Sequence, residues 1–141
     1  MRFWDSSAIV PLVCAEGSSR ACRAWLRQDP VVLVWALAAT EVISALARKR
    51  REGQLDQQRF AVAKQRLAKL EQAWNEVIRL EAVRSRARRL IEVHPLRAAD
   101  ALHLAAALVA VEERTASIEF VTFDERLARA AEKEGFSVLA G

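Results

Sequence analysis

The sequence predicts an α/β domain of three layers, a parallel sheet flanked by helices. Short apolar runs alternate regularly with longer stretches at helical period along the whole chain. Strands separated by helices in this way form a parallel sheet, with crossovers of the usual right hand. The run Val31–Val34 is apolar at every position, as in a parallel strand covered on both faces.

Taken in order, Arg2–Trp4 reads as the first strand and is followed directly by Asp5. Ser6 and Ser7 offer N-caps for a short helix through about Ala15. Ser18 or Ser19 starts a second helix, SSRACRAWLRQ, which the Asp29-Pro30 turn signal stops. Val31–Val34 is the second strand, and Ala36 to about Arg51 a helix ended by Gly53. Asp56 caps a long amphipathic helix running to about Ala73. Val77–Leu80 reads as the third strand, Glu81–Val93 as a helix ended by His94-Pro95, and Ala98–Glu113 as a strongly apolar helix. Glu119–Phe123 is the fourth strand, Asp124 caps ERLARAAEKE, Gly135 closes that helix, and Ser137–Leu139 is the last strand. The boundaries carry a tolerance of about 2–4 residues.

A length of 141 residues is the commonest size for one domain, so residues 1–141 are expected to form a single unit. With 52% hydrophobic residues the chain builds a core without covalent staples. Cys14 and Cys22 form neither a metal-ligand spacing nor a disulfide framework, which points to reduced structural thiols and a cytoplasmic setting. No secretory signal is legible at the start, and no apolar stretch approaches the roughly 20 residues of a membrane span. The net charge of +4 is carried almost wholly by arginine. Arg48-Lys49-Arg50-Arg51 and Arg84, Arg86, Arg88 and Arg89 form two clusters. Such forks suit phosphate or carboxylate, so nucleic acid and acidic protein are both open as partners beside a merely solvated helix face.

The placement of a few acids carries more information than their number. Asp5 is the only charged side chain between Phe3 and Ala15, Glu41 the only one between Val31 and Ala47, and Asp100 the only one between Ala98 and Val111. An isolated carboxylate in an apolar segment is costly unless paired or bound to a metal. Each also has a structural reading. Asp5 and Asp124 could cap helices, Glu41 could belong to the polar stripe Thr40, Glu41, Ser44, Arg48, and Asp100 could face the helix dipole. The topology weakens those readings, because it brings some of these positions together beyond the carboxyl ends of the strands. Converging carboxylates call for hard cations with oxygen ligands, which fits Mg²⁺. Zinc is disfavoured by the absence of a Cys/His set at ligand spacing.

The same residues carry a family resemblance. FWDSSAIVPLV, ATEVISAL, LRAADALHLAAAL and FVTFDERLARAAEKEGF resemble, in order and spacing, the four acid-bearing segments of PIN domains, especially the VapC-type toxins of bacterial toxin–antitoxin pairs. The resemblance covers essentially the whole chain. It implies a three-layer PIN-like fold with a five-stranded parallel sheet and a Mg²⁺- or Mn²⁺-dependent endoribonuclease acting on RNA. Its four acids fall on Asp5, Glu41, Asp100 and Asp124, with hydroxyls such as Ser6 and Thr122 near the site. It further implies a homodimer, a cognate antitoxin lying near Trp25 and the 37–70 region, and no membrane association.

Alternative readings are a PIN nuclease of housekeeping RNA processing and a non-catalytic partner-binding module. A phosphoacceptor receiver or a DxD phosphatase is disfavoured, because FWDSS has a single acid. His103 reads as a packed group behind the site rather than a ligand, His94 as a helix end, and the four tryptophans as packing residues.

Overall fold

The computed structural model describes residues 1–141. The chain runs β1 (Arg2–Trp4), α1 (Ser6–Val13), α2 (Ser19–Gln28), β2 (Val32–Trp35), α3 (Ala38–Arg51), α4 (Gln57–Ala73), β3 (Asn75–Val77), α5 (Leu80–Val93) and α6 (Ala98–Ala110). A 3₁₀ turn at Thr115–Ser117 leads to β4 (Glu119–Val121), α7 (Glu125–Lys133) and β5 (Ser137–Leu139). All pairings are parallel and the strand order is β3-β2-β1-β4-β5. This is the α/β architecture with a five-stranded sheet that the sequence predicts.

The strands sort their side chains at period two, and the two sets build two cores. Phe3, Leu33, Trp35, Val77 and Phe120 face the layer of α5, α6 and α7. Trp4, Val32, Val34 and Val121 face the layer of α1, α2, α3 and α4. The chain moves outward from β1 to β3 with its helices on one face. It then returns across the sheet to β4 and β5 with its helices on the other, as a uniform crossover hand requires. No helix is long and apolar enough to cross a membrane.

Three elements depart from the sequence expectation. The third strand is Asn75–Val77 rather than Val77–Leu80. It is an edge strand paired only with β2, and Val77 alone of its residues is buried. Backbone pairing, with an Asn75 side-chain bond to the Val32 carbonyl at 3.3 Å, places it where no apolar run marks it. Ile78 and Leu80, which suggested a strand, are exposed. Helix α6 stops at Ala110 rather than Glu113, because Glu112 and Glu113 take left-handed φ values of 51° and 67°. The Arg86 guanidinium grips Glu113 through two bonds of 2.8 and 2.5 Å and helps hold that turn. Strand β4 ends at Val121, which frees Thr122 and Phe123 to approach the top of the sheet.

Trp4, Trp35 and Trp74 are buried, and Trp25 stacks on Phe123 at 5.9 Å between ring centres, so the tryptophans serve packing. Cys14 and Cys22 are free and buried, and burial pushes the Cys22 thiol up to about 12. At Gly135, φ is +103° and a side-chain carbon would stand 2.6 Å from the Thr115 hydroxyl, so glycine alone closes α7 without displacement.

Candidate active site

The chain reverses its direction of travel between β1 and β4. From the carboxyl ends of these neighbours, α1 leaves to one face and α7 to the other, opening a crevice at the switch point. A cavity of about 570 Å³ lies there, and Asp5, Glu41, Asp100 and Asp124 all line it together with Ser6 and Ser7. The four acids arrive on four different elements.

Asp5 follows β1 and is the N-cap of α1, its Oδ1 accepting from the Ala8 amide at 3.3 Å. The Ser7 hydroxyl donates to the same oxygen at 2.6 Å, and the Thr122 hydroxyl donates to Oδ2 at 3.1 Å. The capping and site readings of Asp5 are thus compatible. Burial raises its pKa above the ordinary aspartate range, against the nearby His103 and the three hydrogen bonds, which favour the anion. Glu41 lies in the first turn of α3. Its Oε1 bonds His103 Nε2 at 2.7 Å, and its Oε2 accepts from the Ser6 hydroxyl at 3.4 Å. Asp100 lies in the first turn of α6. Burial raises its pKa, as do the neighbouring Asp124 and Glu41 carboxylates, while His103 and Arg97 pull it down. Asp124 caps α7 through a 2.9 Å bond from the Leu127 amide, and its own amide bonds Thr122 Oγ1 at 3.1 Å.

His103 is buried in α6 and edge-on to Phe3. Burial opposes charge on its ring, but the Glu41 bond and the Asp5 and Asp100 carboxylates outweigh that and raise its pKa above the usual histidine value. Its Nδ1 is buried without a partner. His103 therefore backs the acid cluster and holds Glu41.

Several residues escaped sequence reasoning. Ser7, not Ser6, clasps Asp5, and it also accepts from the Phe123 amide at 2.9 Å, tying α1 to the end of β4. Its place two residues after the acid is the only local signal. Arg97 and Arg126 also line the cavity but belong to neither arginine cluster. Of those clusters only Arg48 reaches it. Arg86 and Arg89 are instead engaged with Glu113 and Glu134, with His94 completing the set on Glu134 at 2.7 Å.

These shifts fix a pH dependence of stability in chelator. Asp5, Asp100 and His103 bind protons more tightly in the fold than in the unfolded chain, so stability falls as pH rises through their folded-state values. Glu134 opposes them below its ordinary value of 4.5: the His94 and Arg89 bonds outweigh burial and depress its pKa, so its contribution is lost on acidification. The melting temperature should climb as pH is lowered through the folded-state values of Asp5, Asp100 and His103, and the loss of the Glu134 contribution should blunt that climb once pH falls below 4.5. A scan showing a steady rise from pH 5 to 9 would contradict this account of the acids.

The comparisons with known proteins agree with this geometry. The family profile described as PIN domain matches residues 2–133. The chain is 34% identical over 137 residues to Ribonuclease VapC45 of Mycobacterium tuberculosis, covering 96% of this chain and 92% of that protein. Among solved structures, FitAcB from Neisseria gonorrhoeae superposes with a TM-score of 0.66 at 18% identity, over 99% of this chain and 96% of that one. A toxin–antitoxin complex from Klebsiella pneumoniae gives 0.59 at 17% identity, over 91% of each chain. The profile match, the extent of shared sequence and the common fold lead to one conclusion: the chain belongs to the PIN domain family.

Proposed function

We propose that this protein, a single PIN domain over residues 1–141, is a divalent-metal-dependent endoribonuclease and the toxin of a toxin–antitoxin pair. One observation carries the chemistry: four carboxylates from four elements line one cavity, close enough that Asp124 and Glu41 raise the Asp100 pKa. The ribonuclease assignment is supported by the VapC relative, and the antitoxin by the toxin–antitoxin complex from Klebsiella pneumoniae, whose fold this chain shares.

The donor set suits a hard cation, because every side chain offered is a carboxylate or hydroxyl. No three acidic, His or Cys side chains are grouped to grip an ion unaided. Mg²⁺, or Mn²⁺, is the fitting class, since it binds through one or two carboxylates and completes its shell with water and substrate phosphate. Asp5 and Asp100 are proposed as direct ligands, with Glu41 and Asp124 completing the set. When bound, the ion would activate a water and stabilise charge developing on the scissile phosphate. Ser7 and Thr122 hold the Asp5 carboxylate in place, and His103 does the same for Glu41. Asp124 is oriented by the first turn of α7. No nucleophilic side chain is required.

The antitoxin is proposed to lie near Trp25 and across the 37–70 region, where Leu37, Ile43 and Val62 remain exposed, and the toxin to act as a cytoplasmic homodimer. The purified protein should cleave single-stranded RNA with Mg²⁺ and lose that activity in chelator. Added Mg²⁺ should stabilise the fold by RT ln(1 + [L]/Kd) and so raise its melting temperature. Cleavage that persists undiminished in chelator would end the metal-dependent reading. Induction in cells should arrest growth until the neighbouring gene is co-expressed. Unchanged growth would favour the housekeeping alternative.

A further inference from the structure

We propose that Arg48, Arg97 and Arg126 form a phosphate-binding rim around the acid cluster, engaging the backbone of a single RNA strand on either side of the scissile position. The proposal rests on the ribonuclease reading above and names how its substrate is held. All three arginines line the same cavity as the four acids, and all three are exposed. They come from separate places: the last turn of α3, the residue before α6 and the first turn of α7.

The informative feature is that they stay unpaired beside four carboxylates, since arginines away from the cavity are found both paired and free. Arg2 is tied to Glu119, Arg86 to Glu113, and Arg89 to Glu134. Arg50 lies 4.1 Å over the Phe60 ring. The three cavity arginines make no ion pair or side-chain hydrogen bond, although four carboxylates line the same space. A cavity neutralised by its own side chains would pair them. Here the cations surround the acids without closing on them, which leaves both available to an outside ligand.

The layout favours a polyanion over a single phosphate. Glu41, Ser44, Ala45 and Arg48 follow one another at helical spacing along α3, and all four line the cavity. Seven residues of helix place Arg48 about 10 Å along the axis from Glu41. A phosphate held at the acids through a divalent cation leaves Arg48 to meet a different phosphate of the same strand. Arg97 lies closer in, near enough to favour the Asp100 anion. An acidic protein segment fits less well, because its carboxylates would have to run past the four acids between the arginines.

Binding of a short fluorescent single-stranded RNA in chelator, read by anisotropy across a salt series, tests the rim, alongside cleavage in Mg²⁺. Arg48→Ala, Arg97→Ala and Arg126→Ala should each flatten the plot of log Kd against log salt by about 0.7, the single-strand value per phosphate contact. The triple variant should weaken binding at least about tenfold, with Arg→Lys forms retaining most of the slope as point charges do. Arg84→Ala and Arg88→Ala, exposed on α5 and outside the cavity, should leave Kd and slope unchanged. Melting temperatures of Arg48→Ala and Arg126→Ala should stay near wild type, since their guanidiniums make no ion pair or side-chain hydrogen bond in the fold.

If wild type cleaves RNA while the rim variants keep its Kd and slope, the rim is wrong and the nuclease reading stands. Equal flattening by Arg84→Ala and Arg88→Ala would mean diffuse charge and overturn the proposal. Rim-dependent binding of polyglutamate with rim-independent binding of RNA would assign the arginines to an acidic protein segment instead. Wild type that neither binds nor cleaves RNA would remove both readings together.

Discussion

Asp100→Asn should abolish RNA cleavage, by about 10³-fold or more, while leaving a folded protein that melts higher than wild type in chelator. The loss follows from the proposed role. Removing a ligand forfeits several kcal/mol of charge stabilisation at the reacting phosphate, and each 1.36 kcal/mol is about tenfold in rate. The gain in stability follows from the same carboxylate. Burial and the Asp124 and Glu41 charges all disfavour its anion, so the neutral amide relieves a repulsion that the apo fold otherwise carries. The melting temperature should rise by about 4 °C for each kcal/mol relieved. Asp5→Asn should be as inactive without that gain, because its two oxygens accept from Ser7, Ala8 and Thr122 and an amide serves only some of these donors. Circular dichroism melts and a timed cleavage assay on both variants decide the matter. Wild-type cleavage by either variant would remove that residue from the site. This opposition of activity and stability is what a functional cluster of like charges produces.

Phe120→Ala should cost about 3–5 kcal/mol, the usual range for deleting a buried phenyl ring. Phe120 is fully buried in β4, stacks on Phe3 of β1 at 5.2 Å between ring centres, and meets Phe136 at 5.6 Å. It thereby joins the two central strands beneath the switch point. Denaturant unfolding should show the whole loss in the midpoint, with little change in slope. Strands β1 and β4 carry Asp5 and the Thr122–Asp124 segment, so cleavage should also fall off at a lower temperature than in wild type. A loss below about 1 kcal/mol would mean that the cavity collapses freely, and that the aromatic stack is not what holds the crevice.

Much of this protein is legible one residue at a time. The lone acids Asp5, Glu41 and Asp100 stand out because their neighbours are apolar, and a charge among such neighbours needs a reason. The buried strand β2 is visible for the converse reason, that both its faces are covered. The edge strand β3 is not visible, because an edge is defined by its partner's backbone and tolerates Asn75 and Glu76 in the open. The end of α6 is hidden likewise, since Arg86, distant in sequence, helps to hold two glutamates in a left-handed turn.

The sequence by itself determined the layered α/β plan and the number of strands, and it singled out the lone acids Asp5, Glu41 and Asp100, while Asp124 entered through the family resemblance. The plan and the lone acids depend on local period and on the cost of an unpaired charge, and both can be read along the chain. Only the tertiary structure decided that Ser7 and Thr122 clasp Asp5, that His103 braces Glu41, and which of the many arginines face the cavity. Those pairings join residues as far as 117 positions apart, and a sequence carries no local record of which distant side chain a fold will bring within 3 Å.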